Sequence, residues 1–214
     1  MTKAPARRLA TRAKPTKGPS RRTAKPVATR AGKAGGLSGL PEWDLTDLYT
    51  SLDAPEVKRD LERCDADSIA FEHDFKGKLA DLVSQPDGGA RLADAIRRYE
   101  AIEELMGRIL SYAGLAYAGN TVDPVIAKFY ADAQERITTS SLHLLFFALE
   151  LNRIEDATLE LAMRDPALAH YRPWIEDIRK EKPYQLDDRL EQLFHEKSVT
   201  GYSAWNRLFD ETIA

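Results

Sequence analysis

Leu92-Ala93-Asp94-Ala95-Ile96-Arg97-Arg98-Tyr99-Glu100-Ala101-Ile102-Glu103-Glu104-Leu105-Met106-Gly107-Arg108-Ile109-Leu110-Ser111-Tyr112-Ala113 decides the fold of this chain. Leu92, Ile96, Tyr99, Ile102, Met106, Ile109 and Ala113 recur at steps of three and four, which is the apolar stripe of an α-helix. Leu105, Leu110 and Tyr117 broaden the stripe, and the spacing predicts a helix from about Ala90 to Ala118. Asn120-Thr121-Val122 then reads as a short turn, and Asp123-Pro124 as a helix N-cap followed by a first-turn proline. A further helix carries Ile126, Phe129, Tyr130, Ala133, Ile137, Ser141, Leu144, Leu145 and Ala148, and its almost wholly apolar end from Leu142 to Leu149 is expected to be buried all round. Two helices of roughly 30 residues, each about 45 Å long, joined by so short a turn are expected to form an antiparallel hairpin.

Upstream, Leu40-Pro41-Glu42-Trp43-Asp44-Leu45 is expected to be extended and to pack as an arm on the helices behind it. Asp53 reads as an N-cap with Pro55 in the first turn. Val57, Leu61, Cys64, Ser68 and Phe71 form the next apolar face, which Phe75, Leu79 and Leu82 continue past a loosening or kink at Gly77. Ser84-Gln85-Pro86-Asp87-Gly88-Gly89 is a break. Downstream the pattern is more broken. Asp156 to Met163 reads as a helix stopped near Asp165-Pro166, with a second short element to His170. Pro173 restarts a helix that Lys182-Pro183 ends, Leu186 to Phe194 gives another apolar face, and Trp205, Leu208, Phe209 and Ile213 form a last one after Gly201. No stretch alternates with period two for long enough to argue a strand. The expected fold class is all-α: a long antiparallel helical hairpin plus shorter helices, behind a disordered basic N-terminal tail.

The tail is residues 1–39. It holds 11 Lys/Arg (Lys3, Arg7, Arg8, Arg12, Lys14, Lys17, Arg21, Arg22, Lys25, Arg30, Lys33) and no acid, whereas the rest of the chain holds 20 Lys/Arg against 34 Asp/Glu, a formal −14. Its apolar content is too low to offset the entropy of ordering, about 1–2 kcal/mol per residue for the backbone. Three readings stand: a solvated extension, loose contact with nucleic acid or another polyanion through phosphate neutralisation, and a targeting peptide. Prolines at 5, 15, 19 and 26 weigh against the amphipathic helix that the last would need. The longest apolar run, Leu144 to Leu149, is far shorter than the roughly 20 residues that span a bilayer, so no membrane association is expected. The single cysteine, Cys64, excludes an intramolecular disulfide and a multi-cysteine zinc site, and a reducing, cytoplasmic compartment fits.

The chemistry-bearing templates fail in turn. A helical zinc-peptidase site needs His-Glu-x-x-His, whose four-residue step sets both imidazoles on one face. His195-Glu196-Lys197-Ser198-Val199 starts that pattern and ends it with valine, so His195 reads as a surface or hinge residue. His143, in the apolar end of its helix, reads as a hydrogen-bonded core histidine, and His73 and His170 stand alone. Gly32-Lys33-Ala34-Gly35-Gly36 lies in the tail without the strand and helix of a phosphate loop. Glu103-Glu104 and Asp187-Asp188 are adjacent on helices and diverge by about 100°. Tyr99, Tyr112, Tyr117 and Tyr130 read as core and hairpin contacts. No residue is assigned as catalytic, cofactor-binding or metal-ligating.

Glu196-Lys197-Ser198-Val199-Thr200-Gly201-Tyr202-Ser203-Ala204-Trp205-Asn206-Arg207-Leu208-Phe209-Asp210-Glu211 resembles a recurrent segment of the oligoendopeptidase F family of zinc metallopeptidases, in their amino-terminal helical part. Trp43 to Tyr49 resembles the family's opening and Phe75-Lys76-Gly77-Lys78-Leu79 its first-helix exit, in the same order, so that the resemblance spans residues 40–214. It implies a cytoplasmic, helical peptidase that cuts oligopeptides inside an enclosed channel. It also implies zinc held by the His-Glu-x-x-His histidines and a later glutamate, with the amino-terminal helices walling the channel. The sequence stops at Ala214 within an expected helix. On this reading residues 40–214 are the N-terminal domain, the catalytic domain is absent as a partner, oligopeptide is the substrate of the intact enzyme only, and this chain holds no cofactor and is inactive alone. Uncovered apolar walls are then expected to make the chain self-associate or only marginally stable. The alternative is a helical interaction module with a nucleic-acid-contacting tail.

Overall fold

A computed structural model describes residues 44–213. The tail over 1–39 and the arm's Leu40 to Trp43 lie outside the described residues. Within them the chain is helical and contains no strand. The helices are α1 (Pro55–Phe75), α2 (Leu79–Val83), α3 (Gly88–Gly119), α4 (Pro124–Leu142), α5 (Leu145–Arg153), α6 (Asp156–Ala162), α7 (Pro166–Ala169), α8 (Arg172–Arg179), α9 (Asp188–Ser198) and α10 (Tyr202–Ile213), with a 3-10 turn at Lys182–Tyr184.

α1 buries Val57, Cys64, Ser68 and Phe71 along the expected stripe, together with Asp60. Its start differs from the sequence reading. Ala54 holds the N-cap position without a side-chain hydrogen bond, and the Asp53 carboxylate instead accepts from the Ser51 hydroxyl at 2.8 Å. Pro55 alone supplies the start signal, because its fixed φ suits the first turn and its missing N–H leaves nothing to cap. α1 also ends rather than kinks: Gly77 adopts φ +74°, a left-handed conformation that a side chain would oppose, and the chain turns into α2. The Gly77 N–H donates to Glu150 at 2.7 Å, which fastens this corner to α5.

α3 runs the length expected of it. The break before it is shorter than the sequence suggested, because Gly88 and Gly89 already belong to its first turn. Both are buried, and a Cβ on Gly89 would lie 2.5 Å from the Ala162 carbonyl oxygen and 2.6 Å from the Asp165 Cβ. The absence of a side chain there lets α3 start directly against the end of α6. At the other end of α3 the Asp123 carboxylate accepts from the Val125 and Ile126 N–H groups, as read from the sequence, and α4 begins at Pro124. α3 and α4 meet through Tyr117 stacked on Tyr130 at 5.0 Å and Tyr112 edge-on to Phe129 at 6.0 Å.

The helix expected from Asp123 to Ala148 is two helices. It breaks at His143–Leu144, where the bonds tighten to His143 N–H to Ser140 O and Leu144 N–H to Ser141 O. Thr138-Thr139-Ser140-Ser141 explains the break. The hydroxyls of Thr139, Ser140 and Ser141 turn back on the carbonyls of Glu135, Arg136 and Thr138, which loosens a helix from inside. The re-aimed α5 delivers Phe146 and Phe147 to the core. Phe71 on α1, itself wholly buried, meets Phe75 at 4.8 Å, Phe147 at 5.1 Å, Phe146 at 5.8 Å and Tyr99 of α3 at 6.0 Å. Tyr99 in turn stacks on Phe147 at 5.0 Å.

The segment before α1 is held by Tyr49, which the sequence did not single out for the core. It is buried, lies edge-on to Tyr112 at 5.3 Å, and its hydroxyl donates to the buried Asp60 at 3.0 Å. Arg108 covers the Tyr49 ring at 4.9 Å and donates to the Leu48 carbonyl at 2.7 Å. The Asp60 charge is therefore paired, by Arg59 as well as Tyr49, as a buried carboxylate requires.

Gly89→Ala sets two effects against each other. Alanine gains up to about 1 kcal/mol in helix propensity, but the overpacked contact costs about 1–3 kcal/mol. The contact wins, because its neighbour is backbone that cannot rotate away. Urea unfolding should give a lower midpoint for Gly89→Ala, and a raised midpoint would show that α3 does not abut α6 there.

Candidate functional site: an uncovered apolar face on α9 and α10

The last two helices are built like the others but buried differently. Asp187 caps α9 by accepting from the Arg189 and Leu190 N–H groups. α10 follows a turn at Gly201, whose N–H donates to the Lys197 carbonyl at 2.8 Å. Neither helix buries a single residue. Their apolar side chains face water instead: Phe194 is 63% exposed, Trp205 70% and Phe209 62%, with Leu190, Leu193, Leu208 and Ile213 also open.

Polar contacts hold α9 to the body. Arg153 of α5 forks onto both Asp188 oxygens, and Gln185 donates to the Leu149 carbonyl at 3.2 Å. His195 Nε2 lies 2.7 Å from the Ser141 hydroxyl, beside the α4–α5 break. The hydroxyl has one hydrogen, and where it donates to the Thr138 carbonyl the imidazole must donate from Nε2. At α10, the carboxylates of Asp210 and Glu211 lie near the Tyr117 phenol, whose pKa is raised by burial first and by those charges second. An aromatic side chain gains by burying roughly 150–250 Å², and contiguous exposed apolar patches beyond a few hundred Å² mark contact surfaces. The exposed rings of Phe194, Trp205 and Phe209 make α9 and α10 the candidate contact surface.

The other sequence candidates disperse over the fold. His143 is half-buried rather than a core residue; its Nδ1 meets the Glu72 carboxylate of α1. Nearby, Asp65 takes a forked bond from Arg136 at 2.7 and 3.0 Å and a further one from Ser140. His73 is exposed and lies 3.2 Å from Asp74, and His170 is exposed against Tyr171. Asp187 and Asp188 do diverge, one capping α9 and the other reaching Arg153. Cys64 is wholly buried, and burial, followed by the charges of Asp65 and Asp60, pushes its thiol up to about 12, so it is a core residue and not a thiolate nucleophile. Among the described residues no group of three or more His, Cys, Asp and Glu is placed to hold a metal ion.

Zinc, which the family resemblance implies, does not fit His195–Val199. His195 Nε2 is engaged by Ser141, Glu196 accepts from Gln192 at 2.8 Å, and Val199 offers no ligand atom. The described helices include none long and apolar enough to cross a membrane.

A family model described as Oligopeptidase F matches residues 150–214. That stretch runs from the end of α5 through α10 and contains the whole uncovered face. Residues 150–214 are thus similar to that family, and the match includes the Glu196 to Glu211 segment. No curated protein and no solved structure matches the chain.

Two measurements follow from this geometry. Phe194→Ser, Trp205→Ser and Phe209→Ser together remove three exposed apolar rings of α9 and α10 without touching the core. Sedimentation velocity should show concentration-dependent association of the parent chain and a monomer for the triple variant; a parent chain that stays monomeric at every concentration would remove the face from consideration. The second concerns Glu72. Burial raises its pKa, but hydrogen bonds from Lys76 and His143 outweigh this and hold it below the ordinary 4.5. A carboxylate depressed in the folded state adds stability above its unfolded pKa and loses it as pH falls through the folded value. Glu72→Gln should therefore lose less stability than the parent chain between about pH 5 and pH 3, as read by urea unfolding; identical losses would mean that the pair contributes nothing.

Proposed function

We propose that this chain is the amino-terminal, channel-wall part of a zinc-dependent oligopeptidase that hydrolyses short peptides in the cytoplasm. The match of residues 150–214 to the Oligopeptidase F family carries the reading. Within it, α9 and α10 offer an apolar face that suits a second, catalytic domain laid against it.

On this reading the helices act by exclusion. A wall built from packed helices admits a short, unfolded peptide and refuses a folded domain, because bending such a wall would open the α1–α3–α5 core. No proton transfer is assigned to any residue here. His195, the one residue that begins the zinc-peptidase motif, ties α9 to α4 instead. The zinc chemistry belongs to the His-Glu-x-x-His helix of the catalytic domain, and the oligopeptide is cleaved only when both parts are joined.

The chain by itself is therefore expected to be inactive. Incubated with zinc and an internally quenched fluorescent peptide, it should give no cleavage above a protein-free control. Turnover that a chelator abolishes would overturn the proposal.

A further inference from the structure

A groove of about 650 Å³ runs between α3 and the corner where α7 meets α8, well within the range of small-ligand sites. Its walls are unlike the rest of the surface. Tyr99 and Trp174, 6.0 Å apart between ring centres, line it together with Tyr171. The almost wholly buried Ile96 lies beneath them. Tyr99 is fixed from behind by its stack on Phe147, so the aromatic surface is anchored to the core and costs little to organise.

One side of the groove is negative. Glu100, Glu103 and Glu104 follow one another at helical spacing on α3. Tyr171 donates to Glu100 at 3.1 Å, and Glu103 lies one helical turn from Tyr99. Glu103 is exposed to solvent, yet the protein around its carboxyl raises its pKa, against the opposing pull of the Tyr99 hydroxyl. Neighbouring acids are neutralised, Asp94 by Arg97 and Asp74 by Arg98, both at 2.6 Å. Among the described residues none of the three glutamates has a Lys or Arg partner within ion-pair distance, and no Lys or Arg lines the groove.

We infer that the groove between α3 and α7–α8 binds an arginine side chain of an unfolded peptide, by stacking on Trp174 and Tyr171 and pairing with Glu100 and Glu104. A guanidinium matches both walls at once. Its flat faces stack on aromatic rings, its fork of donors meets carboxylates, and it is less strongly hydrated than an ammonium. A metal ion is a poorer match, since the three carboxylates form no group placed to hold one. Binding is a property of this chain alone, independent of the oligopeptidase reading.

The test is fluorescence anisotropy of a labelled, arginine-containing octapeptide titrated with the full chain at low salt. Glu100→Gln with Glu104→Gln should weaken binding by about 10-fold or more. Glu56→Gln with Glu181→Gln removes the same charge from exposed positions elsewhere and should change it less than about 2-fold. Trp174→Leu should weaken binding about 5-fold or more, and Trp174→Tyr should restore most of it. Replacing arginine by lysine in the peptide should also weaken it. All variants keep residues 1–39, so any effect of that segment is common to them. Absent binding by the parent chain, equal losses from the two glutamate pairs, or equal affinity for the lysine peptide would each overturn the assignment.

Discussion

The fold depends on one cluster of rings. Phe71 gathers rings from α1, α3 and α5, through Phe75, Tyr99, Phe146 and Phe147. Each of these rings carries a large apolar area, and tilted or edge-on pairs add roughly 0.5–1.5 kcal/mol beyond burial. The cluster also explains why the chain must break after Leu142. A continuous helix from Pro124 would carry Phe146 and Phe147 onward along its own axis. The hydroxyl-rich turn at Thr138 to Ser141 redirects α5, and the two rings then reach Phe71.

From that centre, order is exported outward by arginines. Arg98 lies over Phe71 and Phe75 while pairing with Asp74. Arg179 donates to the Leu151 and Ile154 carbonyls and so finishes α5, whose last acceptors would otherwise lack partners. Arg153 carries the connection on to Asp188 and α9. Apolar packing thus gives way to polar fastening along the chain. α9 is held by hydrogen bonds and an ion pair at one side, while the apolar side chains of α9 and α10 stay open. Such a gradient suits a surface made to be covered, and the family match falls on it.

Much of the helical content was legible in the sequence because 3.6-residue periodicity is a local property. The stripe from Leu92 to Ala113, the Asp123-Pro124 start and the order of short helices after Asp156 were readable for that reason, as were the plain roles of Cys64 and the tyrosines. Less local features were not. Asp53 looked like a cap, yet its carboxylate is drawn to Ser51. His143 looked like a core residue, yet it sits half-open at a helix end, facing Glu72 of α1. Tyr49 gave no periodic signal, being a single anchor in an irregular segment. The Thr-Thr-Ser-Ser run was the available sign of the α4–α5 break, but the long apolar series on either side outweighed it.

The amino-acid order by itself determined that residues 44–213 are helical, that the body is acidic, that the chain lacks a His-Glu-x-x-His pair, and that its later segments resemble oligoendopeptidase F. Periodicity, charge and motif spacing are properties of neighbours in sequence and need no fold to be read. Only the tertiary structure decided which apolar faces are spent on the core and which are left open. The stripes of α1 and of α9 look alike in sequence, but the first is buried against the core whereas Leu190, Leu193 and Phe194 of the second stay exposed. Likewise, Tyr99, Glu104 and Trp174 become one groove solely because α8 folds back beside α3, a meeting of residues about seventy positions apart that no local pattern encodes.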